Sequence, residues 1–278
     1  MTQPAPAASP NGTPPNEFDV RAFTRDAQGS WRSEIDVSSF AEHPLDADTL
    51  RLLRLMVRFE SATMEHLRNL LVTATHKDAR VTAFLVTWAF EKFWIADALD
   101  AVLQAHGLKR TRETEEGPKR HTLVEAAERR GAISRAFSAI RQGVSVVAAH
   151  MTSGLVDDWI LREAYIRMIE ANDDAVLTGT VERVLSIKKR HEEFFLDEAI
   201  RRLSESPRAV KETRAALTQA AWPLGAVERA AAERTFFEAY VFGGAEGAAR
   251  ASSVGDRVAR LPGLDSALGA TTARKLTP

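Results

Sequence analysis

The chain has 278 residues, with 37 Lys and Arg residues against 38 Asp and Glu residues. This near balance gives no electrostatic case for nucleic acid or an anionic membrane as a partner. Because the chain has no cysteine, disulfides, thiolate catalysis and Cys-ligated zinc or iron–sulfur sites are excluded.

The N-terminal 20 residues are predicted to form a disordered tail. Residues 1–16 are rich in Pro, Ala and Ser, without the basic start and apolar core of a secretory signal. The most apolar stretch, residues 81–103, is interrupted by Glu91, Lys92 and other charged residues. It therefore predicts a buried amphipathic helix rather than a membrane span, and we expect a cytoplasmic protein.

Four long segments show the apolar periodicity of amphipathic helices. In chain order they cover residues 46–74, 78–106, 145–171 and 174–203. Asp46 and Asp48 are both suitable N-caps for the first segment, and Gly107 is a natural stop after the second. Each segment is roughly 25–30 residues long, a length typical of helices in a large bundle.

The connections between these segments predict two antiparallel hairpins. Short links of a few residues join the first segment to the second and the third to the fourth. The long connection between the hairpins is predicted to contain a charged loop, 109–120, and a short helix, 122–142. Further helices are predicted at 208–221 and 226–242, so the helical domain covers 21–242, and the Gly/Ala-rich residues 243–278 are expected to form a loosely ordered tail.

The inward stripe of each long segment carries ionisable residues near its middle. Glu60 and Lys92 lie equally far from the first turn, and Asp158 and Lys188 lie equally far from the second. These positions predict one buried polar layer, which His191 joins on the fourth segment. Isolated buried charges are costly, so the layer needs either internal pairing or a metal.

The phase of the second helix is left open by the sequence. Lys92 fits an inward stripe, but the adjacent Glu91 fits another one that passes through Trp88 and Ile95. Either residue could therefore face the layer.

The arrangement resembles the ferritin-like di-iron carboxylate proteins over roughly residues 46–205. That family places one Glu on each of two helices and a Glu-x-x-His motif on each of the other two. The run Ile187-Lys188-Lys189-Arg190-His191-Glu192-Glu193-Phe194-Phe195 looks like its last metal-binding helix, and Trp88-Ala89-Phe90-Glu91-Lys92-Phe93-Trp94 looks like the other. The resemblance implies a ferritin-like four-helix bundle, and the helical pattern adds extra C-terminal helices to this all-α fold.

Carried over by position, the resemblance implies vestigial metal-ligand positions at Glu60, Asp158 and His191. Lys92 and Lys188 occupy the two positions where the motif has its glutamates, and Ile95 replaces one histidine. Glu91 remains a ligand candidate if the second helix is rotated. Two ammonium groups would neutralise the two acids and repel a cation, so we expect no metal or other cofactor.

Three functions are compatible with this pattern. The first is a non-metal scaffold or binding protein, a pseudo-oxidase whose polar layer fixes helix register. The second is an iron- or manganese-dependent oxidoreductase with an atypical site. The third is a metal-free enzyme in which Lys92, Lys188 and His191 are catalytic. The partner is expected to be a protein or a small molecule, with no nucleic acid and no membrane, and the family resemblance implies a homodimer.

Overall fold

A computed structural model describes residues 18–109, 145–224 and 231–278 of the chain. All regular structure within these ranges is helical. None of the helices in these ranges has the combination of length and hydropathy needed to cross a bilayer. The crossover elements predicted at 109–120 and 122–142 lie outside the described residues, apart from residue 109. The same is true of the predicted tail up to residue 17.

The first half of the chain forms a short helix and then a long helical pair. Helix α1 is Val20–Arg25, and two 3₁₀ turns, Arg32–Glu34 and Val37–Ala41, follow it. The pair consists of α2, Ala47–Ser61, and α3, Thr63–Leu71, packed against α4, Ala79–Ala105.

The second half of the chain contains the other helices. Helix α5, Val146–Glu170, packs along α6, Ala175–Glu205, and α7, Pro207–Gln219, packs on α5. The last three helices are α8, Ala231–Phe242, α9, Gly244–Ala259, and α10, Ser266–Arg274.

Local sequence explains where the long helices begin and end. The Asp46 carboxylate accepts hydrogen bonds from the backbone N–H groups of Asp48 and Thr49, so Asp46 is the cap of α2. Asp78 and Asp174 cap α4 and α6 in the same way. The chain leaves α4 through Gly107, which has a φ of +73°.

Two expectations about helix continuity were wrong. The first predicted helix is interrupted at Ala62, where the chain changes from α2 to α3 without a glycine or proline to mark the break. The tail expected to be loose from residue 243 instead contains α9 and α10. Its glycines allow close packing, because a Cβ on Gly255 would lie 2.6 Å from the carbonyl oxygen of Gly269.

The segment that precedes the first hairpin closes over one side of the core. The ring of Phe23 stacks on Phe84 of α4, and the Phe18 carbonyl accepts a hydrogen bond of 2.9 Å from Arg80. Phe18 and Val20, which the sequence assigned to the disordered tail, therefore pack against the core. Arg80 also binds the fully buried Glu198 at 3.0 Å, which ties α4 to α6.

Candidate functional site

Four charged side chains from four helices meet in the interior. The Lys92 Nζ atom lies 3.0 Å from Glu60 Oε2 and 3.8 Å from Asp158 Oδ1. The Lys188 Nζ atom lies 2.5 Å from Asp158 Oδ1 and 3.4 Å from Glu60 Oε1. Each of the four side chains is at most 2% exposed. The structure therefore brings together two acids and two ammonium groups that the sequence placed in one layer.

Charge pairing shifts the pKa values of Glu60 and Lys188. Burial alone would raise the pKa of Glu60, but Lys188, Lys92 and the Tyr165 hydroxyl lower it to about 2. The Tyr165 hydroxyl donates to Glu60 Oε1 over 3.0 Å. Burial would lower the pKa of Lys188, but Asp158 and Glu60 outweigh it and raise the pKa above its usual value. Glu60 and Lys188 are therefore both charged at neutral pH.

A second buried pair lies beside the first group and includes the histidine. His191 Nε2 is 2.7 Å from Glu91 Oε2, and both side chains are fully buried. Burial lowers the pKa of His191 despite the nearby carboxylate. The expected five-membered layer is thus rearranged, because the hydrogen bond of His191 goes to Glu91 rather than to Glu60 or Asp158.

The open question about the phase of the second helix has a structural answer. Glu91 and Lys92 are both buried, each 1% exposed, because α4 is covered on two sides. Lys92 faces Glu60 and Asp158. Glu91 Oε1 instead accepts a hydrogen bond of 2.8 Å from the backbone N–H of Gln28 and forms an ion pair with Arg190. The polypeptide that precedes the first hairpin provides this second cover.

The residues present do not fit a di-metal centre. Both single carboxylates, Glu60 and Asp158, are paired with ammonium groups. The imidazole of His191 and the carboxylate of Glu91 are paired with each other. In the described part of the chain, no three His, Asp or Glu side chains converge as a metal site would require.

A pocket of about 80 Å³ lies where α2 and α3 meet, and it reaches the polar layer. Lys92 belongs to both the layer and the pocket wall, so the layer is not closed off from this space. The Lys92 Nζ atom lies 5.0 Å from the centre of the Trp88 ring, which also lines the pocket. Gly154 lines the pocket next to Phe195, since a Cβ there would come within 2.8 Å of the phenyl ring.

Two titratable residues in the pocket wall were not identified as site residues from the sequence. Burial raises the pKa of Asp157 to about 7, although Lys92 and a 2.7 Å hydrogen bond from the Leu224 N–H act against it. Burial, with a smaller effect of Lys92, lowers the pKa of His66 to about 4. His66 lines the pocket from α3. The sequence signal that could have identified Asp157 is its place beside Asp158, as a second acid in an otherwise apolar helix.

No protein-family model, curated protein or solved structure matches this chain.

Proposed function

We propose that this chain is a metal-free protein of the ferritin-like kind and acts as a scaffold or binding protein rather than an oxidase. The observation that carries the proposal is the position of the two lysine ammonium groups between Glu60 and Asp158. Di-iron carboxylate proteins hold their metal ions between carboxylates on four helices. Here two positive charges already neutralise the two acids, and they would repel an incoming divalent cation.

The helix pairing supports the ferritin-like part of the proposal. Helix α2 packs on α4 and α5 packs on α6, while α4 also touches α6 and α2 touches α5. Each of these four helices contributes one charged side chain to the layer: Glu60, Lys92, Asp158 and Lys188. A buried layer in which each charge has a partner opposes shifts of helix register, because a shift would separate the charges from their partners.

Metal content tests the proposal directly. Full-length protein from cells grown with added iron and manganese is analysed by plasma mass spectrometry, and wild type is compared with the variant Lys92→Glu/Lys188→Glu. We expect wild type to hold no stoichiometric metal and the variant to bind more Mn²⁺, because it restores two carboxylates near Glu60 and Asp158. Lys189→Glu on the exposed face of α6 controls for the added negative charge.

The opposite result would end the proposal. Wild-type protein that carries two iron or manganese ions per chain, and loses them in Asp158→Asn, would show that the lysines do not exclude metal. Stoichiometric Mn²⁺ binding by wild type with the same affinity as the double variant would lead to the same conclusion.

A second candidate is a cofactor-free enzyme, which is favoured by the pocket at Lys92. Asp157 has a pKa of about 7, which suits proton transfer near neutral pH. Borohydride trapping with small aldehydes and ketones, followed by peptide mass spectrometry, tests this function. A substrate-dependent adduct on Lys92 would replace the scaffold proposal. Lys188 serves as the internal control, because its raised pKa keeps it protonated and unreactive.

A further inference from the structure

The junction between α2 and α3 lies at Ala62. Helix α2 ends at Ser61 and α3 begins at Thr63. Ala62 has a ψ of −13°, whereas a regular α-helix has about −42°. No side chain caps the start of α3. The backbone therefore departs from helix geometry at this residue, and such element ends are the positions that absorb hinge motions in proteins.

Mostly apolar contacts hold α3 on the core. Its buried residues are Thr63, Leu67 and Leu70, whereas Met64 is 47% exposed. Among the described residues, no side chain from 63 to 71 forms a hydrogen bond or an ion pair with another helix. Segments that few buried contacts hold in place open at a lower free energy than the core does.

The structure on either side of α3 is held more firmly. At the end of α2, Glu60 binds Lys92 of α4 over 3.0 Å, and both side chains are buried. Beyond α3, the hydroxyl group of the fully buried Thr75 lies 2.8 Å from the imidazole of His150 on α5. The nine residues of α3 therefore lie between two anchored positions, and α3 moves away from the core without disturbing either one.

Helix α3 forms a wall of the pocket that reaches Lys92. Thr63, Glu65, His66 and Asn69 all line this pocket. Burial and the nearby Lys92 lower the pKa of His66 to about 4, so the ammonium group lies close to α3. The Lys92 side chain is nevertheless only 2% exposed. Outward movement of α3 would remove this wall and bring solvent to Lys92.

We propose that α3 is a hinged flap that opens about Ala62 and admits small solutes to the ammonium group of Lys92. The flap is closed in this structure. The inference deepens the proposed function by assigning the route into the interior of a binding protein, and it rests on the metal-free state of the layer.

Hydrogen exchange of the full-length wild-type protein measures the opening without any substitution. Mass spectrometry of peptic peptides compares the backbone amides of residues 66–71 with those of residues 83–99 in α4. We expect the α3 amides to exchange at least about tenfold faster, at a rate that low urea concentrations leave unchanged, because a local opening exposes little surface. Equal protection of the two helices, or equal sensitivity to urea, would overturn the inference.

Single cysteine substitutions provide a second measure, because the native chain has no cysteine. Thr63→Cys places a thiol at a pocket-lining site that is 4% exposed, and Thr213→Cys places one at a fully buried site in α7. We expect a disulfide reagent to label the Thr63→Cys variant at least about tenfold faster than the Thr213→Cys variant. Equal labelling rates would mean that both thiols react only when the whole chain unfolds, and the flap would be refuted.

The hinge variant Ala62→Gly connects the opening to Lys92. Glycine disfavours helix geometry about fivefold relative to alanine, so the variant should accelerate both α3 exchange and acetylation of Lys92 by acetic anhydride by about that factor. Ala215→Gly, on the exposed face of α7, controls for the general loss of helix propensity. Peptide mass spectrometry quantifies the acetylation, and a rate at Lys92 that Ala62→Gly leaves unchanged would contradict the inference. A metal-free chain that fails these tests refutes only the flap, whereas stoichiometric iron or manganese refutes the proposed function.

Discussion

The Lys188 ammonium nitrogen lies 2.5 Å from Asp158 Oδ1 in a region where neither side chain is more than 1% exposed. The two residues belong to α6 and α5, the two helices of one hairpin, and both also interact with the other hairpin. Lys188 lies 3.4 Å from Glu60, and Asp158 lies 3.8 Å from Lys92. Each charge therefore has partners on more than one helix, and removal of one charge affects the whole group.

Replacement of Lys188 by methionine should destabilise the protein strongly. The change keeps most of the side-chain volume but leaves Asp158 and Glu60 with one fewer cation in a buried site. Removal of one partner of a buried ion pair costs about 3–5 kcal/mol. Urea unfolding followed by circular dichroism measures the loss. Lys189→Met, on the exposed face of the same helix, should change the midpoint little, and equal effects of the two variants would refute the buried network.

Asp157 should make stability fall as pH rises toward neutrality. Burial raises its pKa in the folded state to about 7 from an ordinary value of 3.8, so the folded state binds the proton more tightly than the unfolded state does. This preference is fully present below the unfolded pKa and is lost as pH rises through about 7.

The variant Asp157→Asn checks this pH dependence. It should flatten the decline between about pH 4 and pH 8 and be more stable than wild type by about 4 kcal/mol at most at the alkaline end. Unfolding free energies measured across this range provide the comparison. An unchanged slope would show that Asp157 is not the group that titrates.

Helix positions were predictable because they depend on local patterns. Asp46, Asp78 and Gly107 mark helix ends through capping and turn chemistry that involves only neighbouring residues. The break at Ala62 could not be predicted, because no residue there opposes a helix. The C-terminal helices were missed for a different reason. The Gly/Ala-rich composition predicted a loosely ordered segment, whereas Gly255 is required for a close contact between two helices.

The charged layer could be predicted from the sequence, whereas the pocket could not. Equal spacing from the turns placed Lys92 opposite Glu60, since two helices of a hairpin rise by the same amount per residue. The burial of Glu91 depends on Gln28, which lies 63 residues earlier in the chain. Asp157 acquires its environment from Leu224, which lies 67 residues later. Such long-range contacts leave no periodic signal in the sequence.

Lys275 should stabilise the C-terminal end of α7. Its Nζ atom donates to the carbonyl oxygens of Thr218 at 2.6 Å, Ala220 at 2.7 Å and Leu217 at 3.3 Å. The last carbonyl groups of a helix have no N–H partner within the helix, and the helix dipole favours a cation there. Lys275→Met should lower the unfolding free energy by about 1–2 kcal/mol, whereas the exposed Lys211→Met on α7 should have little effect. Similar urea midpoints for the two variants would contradict this role.

Gly255 and Gly269 should be required for the packing of α9 against α10. A Cβ on Gly255 would lie 2.6 Å from the Gly269 carbonyl oxygen, a backbone atom that cannot rotate away. Gly255→Ala should therefore cost about 1–3 kcal/mol through overpacking, despite the higher helix propensity of alanine. Gly179→Ala, in α6 with open space around the new methyl group, should instead stabilise by about 0.5–1 kcal/mol. Helix propensity alone predicts that both substitutions stabilise the protein. Opposite shifts of the urea midpoint therefore isolate the effect of the helix contact. A gain in stability for both variants would show that the two helices are not closely packed.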